Sequence, residues 1–103
     1  MTTRVKSVYE DLNYANADEM LIKAKLVTEI ADELKSRHLT QTEASELLGF
    51  SQPKLSNLLR GQFRGVSEKK LMECLTKLGR DIEIVVRPAP RSRREGMISV
   101  AVT

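Results

Sequence analysis

The sequence predicts a mainly α-helical bundle built around a helix-turn-helix and closed by a short C-terminal β-strand. Three observations predict it. Thr40 to Gly61, TQTEASELLGFSQPKLSNLLRG, holds two short helical patterns separated by one Gly-centred turn. Apolar residues recur at steps of three and four between Met20 and Leu34, and again between Leu71 and Leu78. From Asp81 to Arg87, DIEIVVR, the period drops to two, with Ile82, Ile84 and Val86 on one side, as a strand requires.

Taken in chain order, Val8, Tyr9 and Leu12 make a short apolar lead-in, and Asn13 to Asn16 reads as a turn. Asn16 with Glu19 resembles a capping box, so the first helix is expected to begin near Ala17 and run to about Arg37. Met20, Ala24, Val27, Ala31 and Leu34 would share its apolar face. His38 follows at the helix end, and with no acidic or thiol partner near it in the sequence it reads as structural. Thr40 and Glu43 form a T-x-x-E capping box for a second helix whose apolar side is Ala44, Leu47 and Leu48.

Gly49 supplies a left-handed position and Phe50 an apolar plug, so the chain can turn sharply there. Ser51 caps the third helix, Pro53 sits in its first turn, and Leu55, Leu58 and Leu59 bury one face. Gln62 to Val66 form a loop. Ser67 caps a fourth helix with Leu71, Leu75 and Leu78 on one face, Cys74 beside them, and Gly79 at its end. Arg87 to Gly96, RPAPRSRREG, is a basic linker, and Ile98, Val100 and Val102 alternate after it as a second strand pattern. The division is thus a lead-in over 1–16, a helix-turn-helix domain over 17–80, and a C-terminal strand with a basic tail over 81–103.

Gln52, Lys54, Asn57 and Arg60 are left on the outer side of the third helix, and their chemistry points to nucleic acid. Amide side chains can bond adenine bidentately in the major groove, while Lys and Arg neutralise phosphates or read guanine. Charge is also polarised along the chain. Residues 1–50 carry 6 Lys/Arg against 9 Asp/Glu, and residues 51–103 carry 11 against 5, so a net +3 conceals a basic half. Lys54, Arg60 and Arg64 occur with no acid between Ser51 and Ser67, which suits a phosphate backbone and predicts salt-sensitive affinity.

Other classes fare worse. His38 is the one histidine, and no carboxylate pair, phosphate loop or metal-ligand spacing accompanies it, so no enzymatic activity, metal or cofactor is expected. Cys74 stands alone and reads as core packing. No apolar run is long enough to span a bilayer and the N-terminus lacks a secretory pattern, so a cytoplasmic protein without membrane contact is expected. RNA is disfavoured because duplex RNA hides its major groove and the aromatics Tyr9, Tyr14, Phe50 and Phe63 are too scattered to form a stacking platform. At 103 residues, 41% hydrophobic and without tryptophan, the chain supports one small core that invites a partner subunit. A lone strand cannot satisfy its own backbone groups, so Ile82, Ile84 and Val86 are expected to line a homodimer contact or to pair with residues 97–102.

The pattern T-Q-x-E-A-x-x-L-L-G-F-S-Q-P-x-L-S-N-L-L-R-G resembles the Xre/Cro type of helix-turn-helix protein, the lambda-repressor-like class. VYEDL, NADEMLIKAKL and GQFRGVSEKKLMECLTKLGRDIEIVVRP extend the likeness over residues 7 to 88, toward small antitoxins of the HigA-like kind that pair with a RelE/HigB-like ribonuclease toxin. Ser45 departs from the alanine common at its position, but it is small enough to let two helices approach.

The resemblance implies that Gln41 lies near a phosphate and braces Gln52, which faces a base. Ser51 and Asn57 would approach bases or backbone, and Ser56 and Arg60 would lie close to phosphate. Lys54 falls at a variable position, and Arg64 is either a phosphate contact or an ordinary loop charge. It further implies a sequence-specific regulator that binds a pseudo-palindromic double-stranded DNA operator and represses its own operon. Tyr9 and Leu12, or the acids Glu29, Asp32 and Glu33, would meet a toxin. The alternatives are a plain repressor without a toxin and a basic module that binds protein or RNA.

Overall fold

A computed structural model describes the backbone of residues 8–103 and the side chains of residues 18–103. Four helices are present among the described residues: α1 (Val8–Ser36), α2 (Gln41–Leu48), α3 (Gln52–Leu59) and α4 (Glu68–Lys77). The α-helical expectation holds, with one difference at the start. Asn13 to Asn16 is not a turn, and the helix expected from Ala17 begins at Val8, so residues 8–16 belong to α1 rather than to a separate lead-in. Asn costs only about 0.7 kcal/mol or less relative to Ala inside a helix, and a helix already nucleated gains a bond with each residue added. Residues 1–7 and the side chains of Tyr9 and Leu12 lie outside the described residues.

The buried stripe of α1 is Lys23, Leu26, Val27, Ile30 and Leu34, centred on the fully buried Ile30. Of the expected set, Val27 and Leu34 are buried, whereas Met20, Ala24 and Ala31 are half-buried at the edge of the stripe. The alanines drew the expected face off the larger residues that fill the core. α1 ends where His38 takes a left-handed φ of 57°, with Leu39 N–H bonded to Leu34 O at 3.1 Å and His38 N–H to Lys35 O at 3.1 Å. This is a Schellman termination with a side chain where Gly is favoured. His38→Gly is therefore expected to raise stability by about 0.5–1 kcal/mol, relief of left-handed strain outweighing the entropy of Gly. A higher urea midpoint at unchanged m-value is the measurement, and an unchanged or lower midpoint contradicts it.

α1 and α4 run side by side in the same direction. Lys23 Nζ donates to Arg64 O just before α4, and the Arg37 guanidinium donates to Leu78 O at its far end. Between them Leu26, Val27, Ile30 and Leu34 meet Leu71, Cys74, Leu75 and Leu78 in one core cluster. Cys74 is buried there as expected, and burial pushes its thiol pKa up, the nearby Lys70 and Lys77 offsetting this only in part. The Cys74 thiol is an apolar filler and stays protonated.

α2 and α3 lay Ala44, Leu48, Leu55 and Leu58 into that core, each with no exposed surface. The buried face of α2 is Ala44, Ser45 and Leu48, whereas Leu47, expected inside, is exposed. Ser45 takes the inner place because its hydroxyl donates to Thr42 O at 2.9 Å and so needs no other partner.

The expected C-terminal strand does not form. Among the described residues 81–103 make no strand ladder, neither Asp81–Arg87 nor residues 97–102. Ile84 and Val86 are 79% and 92% exposed, and Ile82 is exposed as well. Alternation records which side of an extended chain is apolar, but a ladder also needs a second edge, and the helical bundle of one chain presents none. Val100 instead packs against the core, its carbonyl accepting from Lys25 Nζ at 3.0 Å.

Candidate nucleic-acid interface

Three devices hold α2 and α3 in place, although eight residues are too few for a helix to stand alone in water. At the start of α2, Thr40 Oγ1 accepts from Glu43 N–H at 3.1 Å while Glu43 Oε1 accepts from Thr40 N–H at 2.9 Å, the expected capping box. Next, Gly49 at φ 78° turns the chain, and Phe50 N–H bonds back to Ser45 O at 3.1 Å. The third device comes from α4. Lys70 Nζ donates to Leu48 O at 3.1 Å and lies 5.0 Å from the centre of the Phe50 ring, so one cation serves the negative end of α2 and an aromatic face together.

On this frame the outer face of α3 is laid out. Ser51 Oγ accepts from Lys54 N–H at 3.2 Å and so caps the helix, leaving its hydroxyl proton free to be donated outward. Gln52, Pro53 and Lys54 are exposed on the first turn, Ser56 and Asn57 are half-buried, and Arg60 is exposed just past the end. Asn57 Oδ1 accepts from Arg60 Nη2 at 2.6 Å, which fixes the amide with its NH2 group available and aims the guanidinium. Lys54 also borders a shallow depression shared with Phe50, Gly65, Val66, Ser67 and Lys70.

Gln41 is exposed at the first position of α2, as Gln52 is on α3. Among the described hydrogen bonds none joins them, so the bracing implied by resemblance is not made in this conformation.

Arg64 is exposed in the loop between α3 and α4, which is pinned from below. Phe63 and Val66 are buried, and Lys23, only 3% exposed, donates from Nζ to Arg64 O at 2.8 Å while pairing with Glu19 Oε2 at 3.0 Å. Sequence reasoning missed Lys23 and Lys70. Each is a lysine whose partner lies 41 or 22 residues away, and the one local signal was Glu19, four residues before Lys23. Lys23→Met keeps the aliphatic stem but leaves the Arg64 carbonyl without its donor. A loss of about 1–3 kcal/mol of stability is expected on urea denaturation, and a loss near zero would mean that water replaces the lysine.

Glu29 and Glu33 of α1 are also engaged inside the molecule. Arg80 Nη1 lies 3.5 Å from Glu29 Oε1 and 3.1 Å from Glu33 Oε2, and Arg37 Nε lies 3.6 Å from Glu33 Oε1. Of the three acids expected to greet a basic partner, Asp32 alone is exposed and outside these pairs. No described helix is long and apolar enough to cross a membrane. Among the described residues no cluster of three His, Cys, Asp or Glu side chains is placed to hold a metal.

Comparison with known proteins agrees with this geometry. A family model described as a helix-turn-helix domain matches residues 8–87. A solved structure named as an XRE family transcriptional regulator superposes with a TM-score of 0.79 at 36% identity, over 85% of this chain and 99% of that one. Among curated proteins none matches. The match to the family model over most of the chain and the likeness to nearly the whole of that regulator place this chain in the XRE family of helix-turn-helix transcriptional regulators.

Proposed function

We propose that the chain is a sequence-specific repressor that lays α3 in the major groove of duplex DNA and acts as a homodimer on a pseudo-palindromic operator, its own promoter included. The observation that carries this reading is the two-sided build of α3. Leu55 and Leu58 are wholly buried, while Gln52, Lys54 and Arg60 are exposed and Asn57 half-buried beside Arg60, with no acidic residue between Ser51 and Ser67. In this reading Gln52 and Asn57 meet base edges, Ser51, Ser56 and Gln41 approach the backbone, and Lys54, Arg60 and Arg64 neutralise phosphates. Ile84, Val85, Val86 and Ile98 expose apolar surface on an extended segment, which supports a contact between two copies through Ile82, Ile84 and Val86.

The test selects duplexes from a random pool and measures solution mass by light scattering. A dimer should enrich half-sites about 10 bp apart, or a multiple, with affinity that falls as salt rises. Ile84→Asp should yield monomers that keep weak half-site binding. Equal affinity for random and selected duplexes would overturn the specific reading, and a monomeric wild type at micromolar concentration would overturn the dimer.

Pairing with a ribonuclease toxin rests on the sequence resemblance to HigA-like antitoxins. Arg80 already pairs with Glu29 and Glu33, which favours Asp32 or the start of α1 over those two glutamates as the contact. Without a toxic neighbouring reading frame, the plain repressor stands.

A further inference from the structure

The segment after α4 forms an arm that leaves the bundle and returns to it. At its root, Arg80 is held by Glu29 and Glu33 of α1, and Arg80 Nη2 also reaches Thr103 O at 3.4 Å. Close by, the Val100 carbonyl accepts from Lys25 and its side chain packs on the core. Both ends of the intervening stretch are therefore fixed on α1, and the chain reverses between them at a turn in which Arg93 N–H bonds to Pro90 O at 3.1 Å. Residues 81–99 are exposed throughout.

The charge of the arm is concentrated at and beside this turn. Arg87 to Arg94, RPAPRSRR, carries four arginines and no acid. Among the described residues none of the four makes an ion pair. The one hydrogen bond from their guanidinium groups runs from Arg93 Nη1 to the Glu95 carbonyl at 3.3 Å. Arg37 and Arg80 are by contrast engaged on glutamates and Arg60 on Asn57, whereas the Arg64 side chain makes no described bond. Pro88 and Pro90 fix φ and favour an extended backbone, so holding the arm against a ligand loses less chain entropy than a flexible tail would.

We propose that the arm is a second DNA-contacting element, in which Arg91, Arg93 and Arg94 bind backbone phosphates flanking the site read by α3. The inference rests on the DNA-binding reading of α3. Guanidinium groups match phosphate oxygens bidentately, and a duplex presents phosphates continuously beyond the groove that one helix occupies. The contact carries no sequence information of its own and lengthens the occupied site.

The experiment compares wild type with the triple variant Arg91→Gln, Arg93→Gln, Arg94→Gln, using a minimal selected operator and the same operator extended by about one helical turn, 10 bp, on each side. Wild type should prefer the extended duplex, and the variant should lose that preference, about tenfold or more in affinity. Its salt slope on the long duplex should become shallower by about one for each phosphate contact removed. Binding of the minimal operator should be unchanged, as should helical circular dichroism and solution mass. Equal affinity and slope for both proteins on the long duplex would overturn the arm and leave the α3 reading intact. A variant that binds DNA like wild type but loses binding to single-stranded RNA would overturn it in favour of RNA. A wild type that binds no duplex would sink both readings.

Discussion

Leu58→Ala is expected to cost about 2–5 kcal/mol of folding stability, a large share of the roughly 5–15 kcal/mol that holds a domain of this size together. Leu58 has no exposed surface and lies on the inner face of α3, in the cluster shared by Ala44, Leu48, Leu55 and Phe63. Truncation loses the transfer energy of the side chain and leaves a cavity that rigid helices on either side cannot collapse to fill. α3 keeps its Ser51 cap and Pro53 start, but eight residues cannot hold a helix without packing, so its seat should loosen along with global stability. Leu59→Ala is the control, because Leu59 is half-buried against the same cluster and should cost clearly less. Denaturation followed by circular dichroism gives both values. A Leu58→Ala loss under about 1 kcal/mol would show that the α2–α3 unit is packed more loosely than its burial implies.

What was legible in the sequence was whatever local chemistry decides. Thr40, Ser51 and Ser67 announce helix starts because a hydroxyl three residues before a free N–H can only do one thing well, and all three are caps in the structure. Gly49 and Gly79 mark turns for a comparably local reason, and both have positive φ. Reading failed where the outcome depends on what the rest of the molecule provides. The Asn13–Asn16 stretch resembles a turn by composition, yet cooperative extension of α1 carries it. DIEIVVR has the period of a strand, but no edge of one chain is there to pair with it. The site shows the same division. Residues of the outer α3 face could be named from their spacing, whereas Lys23 under the Arg64 loop and Lys70 under the α2–α3 turn become visible only once distant segments are brought together.

Gln52→Ala should cost about 1–3 kcal/mol in binding the preferred operator and leave affinity for unrelated duplexes nearly unchanged. Gln52 is exposed at the first position of α3 and its side chain takes part in no described hydrogen bond, so on the proposed reading its loss removes a base contact without disturbing the protein. Arg60→Ala and Arg64→Ala should instead weaken every duplex and make the salt slope shallower by about one each. Asn57 is different, because its Oδ1 already holds Arg60 at 2.6 Å. On the proposed reading Asn57→Ala removes a base contact and also releases the guanidinium, so its effect should combine lost specificity with weaker binding overall. The double variant with Arg60→Ala should then cost less than the two single losses together, since both remove the same arrangement. Binding isotherms on the selected operator and on a scrambled duplex at two salt concentrations separate these outcomes. Strict additivity of Asn57 and Arg60 would mean that the pair seen in the free protein breaks when DNA binds. A Gln52→Ala variant with unaltered sequence preference would mean that α3 does not read bases from its N-terminal turn.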